Sequence, residues 1–259
     1  DALRILRAIR FVGVLGFELE TKTRAALHTH SRLLSRISLE RVRDEITGAL
    51  LSDGAERAAR LYEETGVLRA ILPEVHGLTT TRLWARTVKS LGLLARLYPI
   101  RSSSLSWAVF LHEIPLSPSQ ASVVSVCQRL RMSRSEIDTV HFLCDELHKF
   151  RGVFRMREST LERWVREPHF EELLALHHVA ALASHGNLAA HEFCRYRYQK
   201  SRADTLPLKL LSGEDLVQLG ISPGPIFAEI LRSIETLRLE GRLASKKEAL
   251  EYVLTHFVT

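Results

Sequence analysis

Asp1-Ala-Leu-Arg-Ile-Leu-Arg-Ala-Ile-Arg-Phe-Val-Gly-Val-Leu-Gly-Phe17 is the stretch from which the fold class can first be read. Leu3, Leu6, Ile9, Phe11 and Val14 recur at helical spacing, so the pattern predicts an amphipathic helix with these five on its apolar face. Arg4, Arg7 and Arg10 repeat every third residue on a neighbouring stripe, and Gly16 is suited to a C-terminal stop. By composition alone this is a core helix with a solvated arginine face.

Helical signals of the same kind recur to the end of the chain. A serine followed three residues later by an acid or glutamine, the sequence form of a capping box, occurs at Ser117/Gln120, Ser133/Glu136, Ser159/Glu162, Ser212/Asp215 and Ser245/Glu248. Pro118 and Pro223 each follow a serine, as a first-turn proline does. There is no Asn-Gly hairpin and no sustained alternation of apolar and polar residues. The expected fold class is all-α.

Bulk properties narrow the function. A chain of 259 residues is long for one small core and fits two or three modest domains. No apolar run approaches the ~18 residues needed to span a bilayer, and no charged-then-apolar leader is seen, so the reading is cytoplasmic and without a membrane partner. Cys127, Cys144 and Cys194 are widely spaced and odd in number, and are expected to be reduced and buried. A net charge of +6 fits a polyanionic partner.

The first stretch has a more particular character. Asp1-Ala-Leu-Arg4, then Leu6-Arg-Ala-Ile-Arg-Phe11, then Leu15-Gly-Phe17 closely resembles the neck of bacterial class II tRNA nucleotidyltransferases, the CCA-adding and poly(A) polymerase family. That pattern runs Glu-Asp-x-x-Arg, Leu/Met-Arg-Ala-x-Arg-Phe, Leu-Gly-Phe; the Glu preceding the Asp has no counterpart in this sequence. The resemblance implies that Asp1 and Arg4 select the incoming nucleotide without a template, with Arg7 alongside. The chemistry is sound. Residues i and i+3 share a helix face. A carboxylate accepts from the exocyclic amino group that cytosine and adenine both carry, while a guanidinium donates to the neighbouring ring acceptor. Guanine and uracil place a carbonyl where the amino group should be, a mismatch of ~1–3 kcal/mol per base contact.

The likeness continues downstream. After a helix predicted over Thr21–Leu34 comes another over Ser38–Leu51, containing Ile37-Ser-Leu-Glu-Arg-Val-Arg-Asp-Glu45, similar to the family's Ile-Ser-x-Glu-Arg-x-x-x-Glu. The resemblance puts Glu40 and Arg41 on the nucleotide side, bracing Arg4; Glu40 reads equally well as an acid at the positive end of a helix dipole. Residues 59–74 resemble the helix that closes the neck, with Pro73 ending it. The implied architecture is an elongated multi-helix array: neck 1–73, body 74–200, tail 201–259, with a linker at Ser201–Leu208 that includes Pro207.

In the body, Trp107-Ala-Val-Phe-Leu-His-Glu-Ile-Pro115 stands where many relatives have Leu-Leu-His-Asp-Ile-Gly-Lys, a phosphohydrolase-type metal signature. Glu113 replaces its Asp and Pro115 its Gly, and the Lys is missing. His112 and Glu113 are thus the metal candidates, with His141 and His148 as possible further ligands, but the altered doublet favours a core helix, and no metal is expected in this chain. His177, His178, His185 and His191, around Ala180-Ala-Leu-Ala-Ser-His-Gly-Asn-Leu188, read as helix-surface or core histidines.

Basic residues concentrate between positions 129 and 166: Arg129, Arg131, Arg134, Lys149, Arg151, Arg155, Arg157, Arg163 and Arg166, with Phe150 and Phe154 interleaved. Such a surface suits phosphate contacts, which position an RNA without reading its sequence. The tail, Leu210-Leu-Ser-Gly-Glu-Asp-Leu…Gly-Ile-Ser-Pro-Gly-Pro225 and then Glu240-Gly…Glu248-Ala-Leu250, resembles the family's RNA-binding segment. Gly224 would open a helix with free N–H groups, a phosphate-binding end or a plain structural turn. Arg232, Arg238, Arg242, Lys246 and Lys247 could follow an RNA backbone.

The family's phosphoryl transfer needs close carboxylates on divalent metal, yet this sequence contains no Asp-x-Asp and no Gly-rich phosphate loop at its start. The expectation is therefore a neck, body and tail that are inactive alone, with no catalytic residue in this chain and Mg2+ in a missing catalytic head. The implied partners are ATP, CTP and the 3′ ends of tRNA or other RNA. CCA and poly(A) addition share the selecting motif, so both stay open. The competing classes are a non-catalytic all-α RNA-binding module, a vestigial metal phosphohydrolase around His112, and a helical interaction scaffold.

Overall fold

The structure is a computed structural model that describes residues 1–115, 123–203 and 209–258. The Ser117/Gln120 cap, Pro118 and most of the 201–208 linker lie outside the described residues. Every regular element among the described residues is helical, so the fold is all-α. No helix among them is long and apolar enough to cross a membrane. Two compact units are formed, one by Asp1–Arg151 with Glu171–Glu192, the other by Gly152–Phe170 with Phe193–Thr259.

The first unit opens with α1 (Leu3–Leu15), α2 (Thr21–His30), a 3₁₀ segment (Ser31–Arg36), α3 (Leu39–Leu50) and α4 (Ala55–Glu64). Helix α1 packs on α3 and α4 through Leu3, Ile5, Leu6, Ile9, Val12 and Gly13. Phe11 and Val14, expected on the apolar face, are instead 39% and 49% exposed. The reason is a backbone contact: the Gly54 N–H donates to the Gly13 carbonyl at 3.1 Å, and this approach turns α1 so that Val12 and Gly13 face inward.

The helix expected over 21–34 stops at His30, where the Ser31 hydroxyl donates back to the His28 carbonyl and the chain tightens to 3₁₀ geometry. The segment 59–74 is also divided. Gly66, at φ +70°, separates α4 from α5 (Val67–Ile71), and Pro73 opens the one-turn α6 (Pro73–His76).

Next come α7 (Arg82–Leu97), α8 (Ser103–Leu111), α9 (Val123–Arg129) and α10 (Arg134–Glu146). Helix α8 is buried on all sides from Leu105 to Leu111, as a helix apolar all round must be. Its Trp107 donates to Thr47 Oγ1 at 2.9 Å and meets Phe110 edge-on.

A second 3₁₀ segment (Leu147–Arg155) leads to α11 (Glu158–Val165), α12 (Phe170–Ser184), α13 (Ala189–Ala203), α14 (Gly213–Gln218), α15 (Pro225–Leu239) and α16 (Lys246–Phe257). Leu211, Leu216, Ile230, Ile234, Leu237, Leu243, Ala249 and Val253 form a buried cluster of the second unit. Ser133/Glu136 and Ser212/Asp215 make reciprocal capping boxes, and Ser245 caps α16. Ser159 does not cap. Helix α11 starts one residue earlier, and the buried Ser159 hydroxyl donates to Glu240 at 3.3 Å. The first-turn proline of α15 is Pro225, not Pro223, because the N-cap is Gly224.

Candidate nucleotide and RNA site

At the start of α1, Asp1 holds the chain in place with both carboxylate oxygens. Oδ1 accepts from the Leu3 N–H at 3.0 Å, and Oδ2 accepts from Arg41 Nη2 of α3 at 3.0 Å. A carboxylate has about four acceptor sites, so two remain for a ligand. Arg41 therefore braces Asp1 rather than Arg4. Arg4, one turn on, is exposed and makes no ion pair among the described residues. Further along the same side, Arg10 donates to Glu45 at 2.7 Å, and the more exposed Arg7 lies 3.9 Å from the same carboxylate. A carboxylate held by two hydrogen bonds and an uncommitted guanidinium thus stand three residues apart, Asp1 just ahead of α1 and Arg4 in its first turn.

Glu40 is exposed at the first turn of α3 and borders a hollow of about 490 Å³ lined by Leu34, Ser35, Ile37, Ser38, Leu39, Ala70, Ile71, Pro73, Arg129 and Arg131. Arg129 is committed elsewhere. Its two terminal nitrogens clamp Glu74, each at 2.6 Å. Burial alone would raise the Glu74 carboxyl, but the Arg129 guanidinium holds it below the usual carboxylate range. Arg131 is exposed at φ +56°, and its carbonyl accepts from Arg43.

The remaining basic candidates divide by commitment. Lys149 is tied to Glu146, Arg134 to Asp138, and Arg163 to Glu235 at 3.0 Å. Arg151, Arg155 and Arg157 are exposed, with no ion pair among the described residues. In the tail, Gly224 is extended at the N-terminus of α15 with no side-chain cap, and Arg232 and Arg242 are exposed. Lys246 pairs with Asp215 at 2.5 Å; its hydrogen bond, with those from Ser212, holds the Asp215 carboxyl down to about 2.

His112 ends α8 almost wholly enclosed. Its Nδ1 meets the Val109 carbonyl at 2.8 Å, and its Nε2 lies 3.8 Å from Glu113. Burial lowers its pKa, with Glu113 opposing. Among the described residues no three His, Cys, Asp or Glu side chains are grouped so as to hold a metal. Cys127, Cys144 and Cys194 are free and buried; burial pushes the Cys127 and Cys194 thiols up to about 12.

The other histidines form a column of rings in the first unit. Phe150 stacks on His177 at 3.8 Å, His177 lies parallel to His191 at 6.1 Å, and His191 stacks on His178 at 4.5 Å. Stacked faces do not converge on an ion. Burial, then His191, His185 and His178, bring the His177 pKa down to about 4. The folded state thus prefers neutral His177 while the unfolded chain binds a proton near the ordinary 6.5. Full stability is present above 6.5 and falls as pH drops towards 4, by up to about 3 kcal/mol. Denaturation of His177→Phe across this window should show a flatter stability–pH profile than the parent.

Two family matches cover most of the chain. Residues 16–78 match a family described as "Probable RNA and SrmB- binding site of polymerase A", and residues 98–254 match tRNA nucleotidyltransferase domain 2. The chain is 29% identical to the CCA-adding enzyme of Bacillus licheniformis, over 97% of its own length and 59% of that protein's. It is 28% identical to the CC-adding tRNA nucleotidyltransferase of Thermus thermophilus, over 98% of its own length and 66% of that protein's. The structure of the Bacillus stearothermophilus CCA-adding enzyme in complex with CTP aligns with a TM-score of 0.69 at 26% identity, covering 98% of this chain and 61% of that one. The chain thus spans roughly three-fifths to two-thirds of the length of these relatives. With the second family match alone taking in more than half of its residues, the chain belongs to the tRNA nucleotidyltransferase family.

Proposed function

We propose that this chain is the nucleotide-selecting and RNA-docking portion of a template-independent nucleotidyltransferase that adds CCA or A residues to the 3′ ends of tRNA or other RNA. The observation that carries the reading is the pair at the start of α1: Asp1 fixed by Arg41, with the exposed Arg4 one turn away. A fixed carboxylate and a guanidinium match the amino donor and ring acceptor shared by cytosine and adenine. CTP and ATP are the corresponding ligands. The relatives' names support the same class, since one adds CC and another CCA.

The functional division is a neck over 1–73, a body over 74–200 and a tail over 201–259. Arg131, Arg151, Arg155, Arg157, Arg232 and Arg242 are exposed and suited to phosphate contacts; Lys149, Lys246 and Gly224 are offered beside them, and Arg129 helps shape the hollow next to Glu40. Mg2+ would be held by carboxylates of a catalytic head outside these residues, because this sequence has no Asp-x-Asp. Three buried, unpaired thiols fit a cytoplasmic protein.

The test uses the full-length protein, a tRNA lacking its 3′ terminus, and the four nucleoside triphosphates in separate reactions. C or A should be incorporated and G and U refused. Arg4→Ala should reduce incorporation by about 10- to 100-fold and narrow the preference over G and U, as expected for the loss of one base contact. A full-length protein that incorporates nothing, or all four nucleotides equally, overturns the proposal.

A further inference from the structure

The second unit carries an aromatic surface that the nucleotide pair at α1 does not use. Phe154, at the end of the 3₁₀ segment, is 63% exposed, and its ring lies 5.3 Å from that of Phe193 on α13. Tyr196 is 62% exposed and follows Phe193 by three residues, so it shares that face of α13. Two other rings of the unit behave differently: Trp164 and Phe170 are buried against each other, edge to face. Leaving two large rings in water forgoes the favourable transfer that burial brings. A lone exposed ring would need no explanation; here one exposed ring contacts a second and a third follows on the same helix face.

The setting selects the partner. Arg155 and Arg157 follow Phe154 one and three residues on, Lys200 lies one turn beyond Tyr196, and all three cations are exposed with no ion pair among the described residues. Aromatic faces bordered by uncommitted cations match a polyanion that also offers flat, apolar faces. Single-stranded nucleic acid fits, because its unstacked bases lie on aromatic rings while its phosphates meet arginine and lysine. A duplex hides its base faces and would use only the cations. We propose that Phe154, Phe193 and Tyr196 form a base-stacking platform for unpaired nucleotides of the bound RNA. The platform rests on the RNA-docking reading above and adds to it the form of RNA that is held.

The test is fluorescence anisotropy of this chain with a labelled single-stranded oligoadenylate and with a duplex RNA of equal length, over a salt series. Phe154→Leu and Tyr196→Leu should each weaken single-strand binding about tenfold, in line with base–aromatic stacking, and leave duplex binding and salt dependence unchanged. Phe154→Tyr and Tyr196→Phe should bind as the parent does. Arg155→Gln with Arg157→Gln should reduce the slope of log K against log salt by about 1.4 for the single strand. All four ring variants replace exposed groups, and circular dichroism melts should match the parent. If the leucine variants bind single strands like the parent, the platform is overturned while RNA docking stands, and the patch belongs to a protein contact. If the parent binds neither RNA at low salt, the platform and the docking reading fail together.

Discussion

Arg197→Met is expected to destabilise the unit formed by 152–170 and 193–259 by about 3–5 kcal/mol. Arg197 of α13 donates to the carboxylates of both Glu158 and Glu162 on α11. Arg197 and Glu162 are each only 13% exposed, so the pair is largely out of water. Methionine keeps the apolar stem and removes the charge, leaving Glu162 with Arg166 at 3.8 Å as its remaining cation. That neighbour offsets part of the loss and sets the effect towards the lower figure. Arg197→Lys should fall between parent and Met, because an ammonium keeps the positive charge but on a shorter, more strongly hydrated side chain than the guanidinium whose Nη2 meets both carboxylates. Urea denaturation followed by helix signal measures both. A cost under about 1 kcal/mol for Met would show that the clamp does not hold α13 to α11.

The second large effect is expected at Gly54→Ala. A methyl group there would sit 2.6 Å from the Gly13 carbonyl oxygen and 2.8 Å from the Gly13 Cα. Both are backbone atoms and cannot swing aside, so α1 must move off α4, at about 3 kcal/mol. The displacement would also reach function. Helix α1 carries Arg4 in its first turn and Asp1 just ahead of it, and Asp1 meets Arg41 of α3 at 3.0 Å. Gly54→Ala in the full-length protein should therefore lower nucleotide incorporation even at temperatures where it remains folded. Gly16→Ala is the control. Gly16 has φ +70°, and a methyl group there would meet nothing within 4 Å, so the substitution should lose only ~1–2 kcal/mol for the left-handed backbone and leave incorporation unaltered. Equal effects of the two substitutions would remove the close approach as the cause.

Local sequence was enough for local structure. The 3.6-residue period of α1, the reciprocal caps at Ser133 and Ser212 and the cap at Ser245 all depend on atoms within four residues of one another. The same holds for α3, which begins directly after Ser38. Ser159 shows the limit of that reasoning. Its spacing to Glu162 fits a capping box, but its hydroxyl is drawn to Glu240, 81 residues on, and the helix starts at Glu158. The side of α1 that turns inward was another such case, since apolar spacing offered Phe11 and Val14 while a glycine contact chose Val12 and Gly13. A glycine within an otherwise regular amphipathic helix was the available signal for that contact.

The candidate site divides along the same line. Asp1, Arg4, Glu40 and Arg41 were legible because they lie in two short, recognisable strings, and the all-α class followed from helix signals repeated along the chain. The partners of long charged side chains were not legible. Arg129 reads as one more cation in a basic run until the fold sets it against Glu74, 55 residues earlier; Arg197 likewise finds Glu158 and Glu162 on a different helix. Arg41 turns to Asp1 and not to Arg4, and Phe154 meets Phe193 from a distant part of the chain. By itself the sequence determined the helical class, the caps at Ser133, Ser212 and Ser245 and the candidate pair Asp1 and Arg4, because each is set by neighbours in the chain. Only the tertiary structure decided which arginines remain uncommitted and which rings stay in water, because a long side chain takes its partner from whatever packing brings within reach.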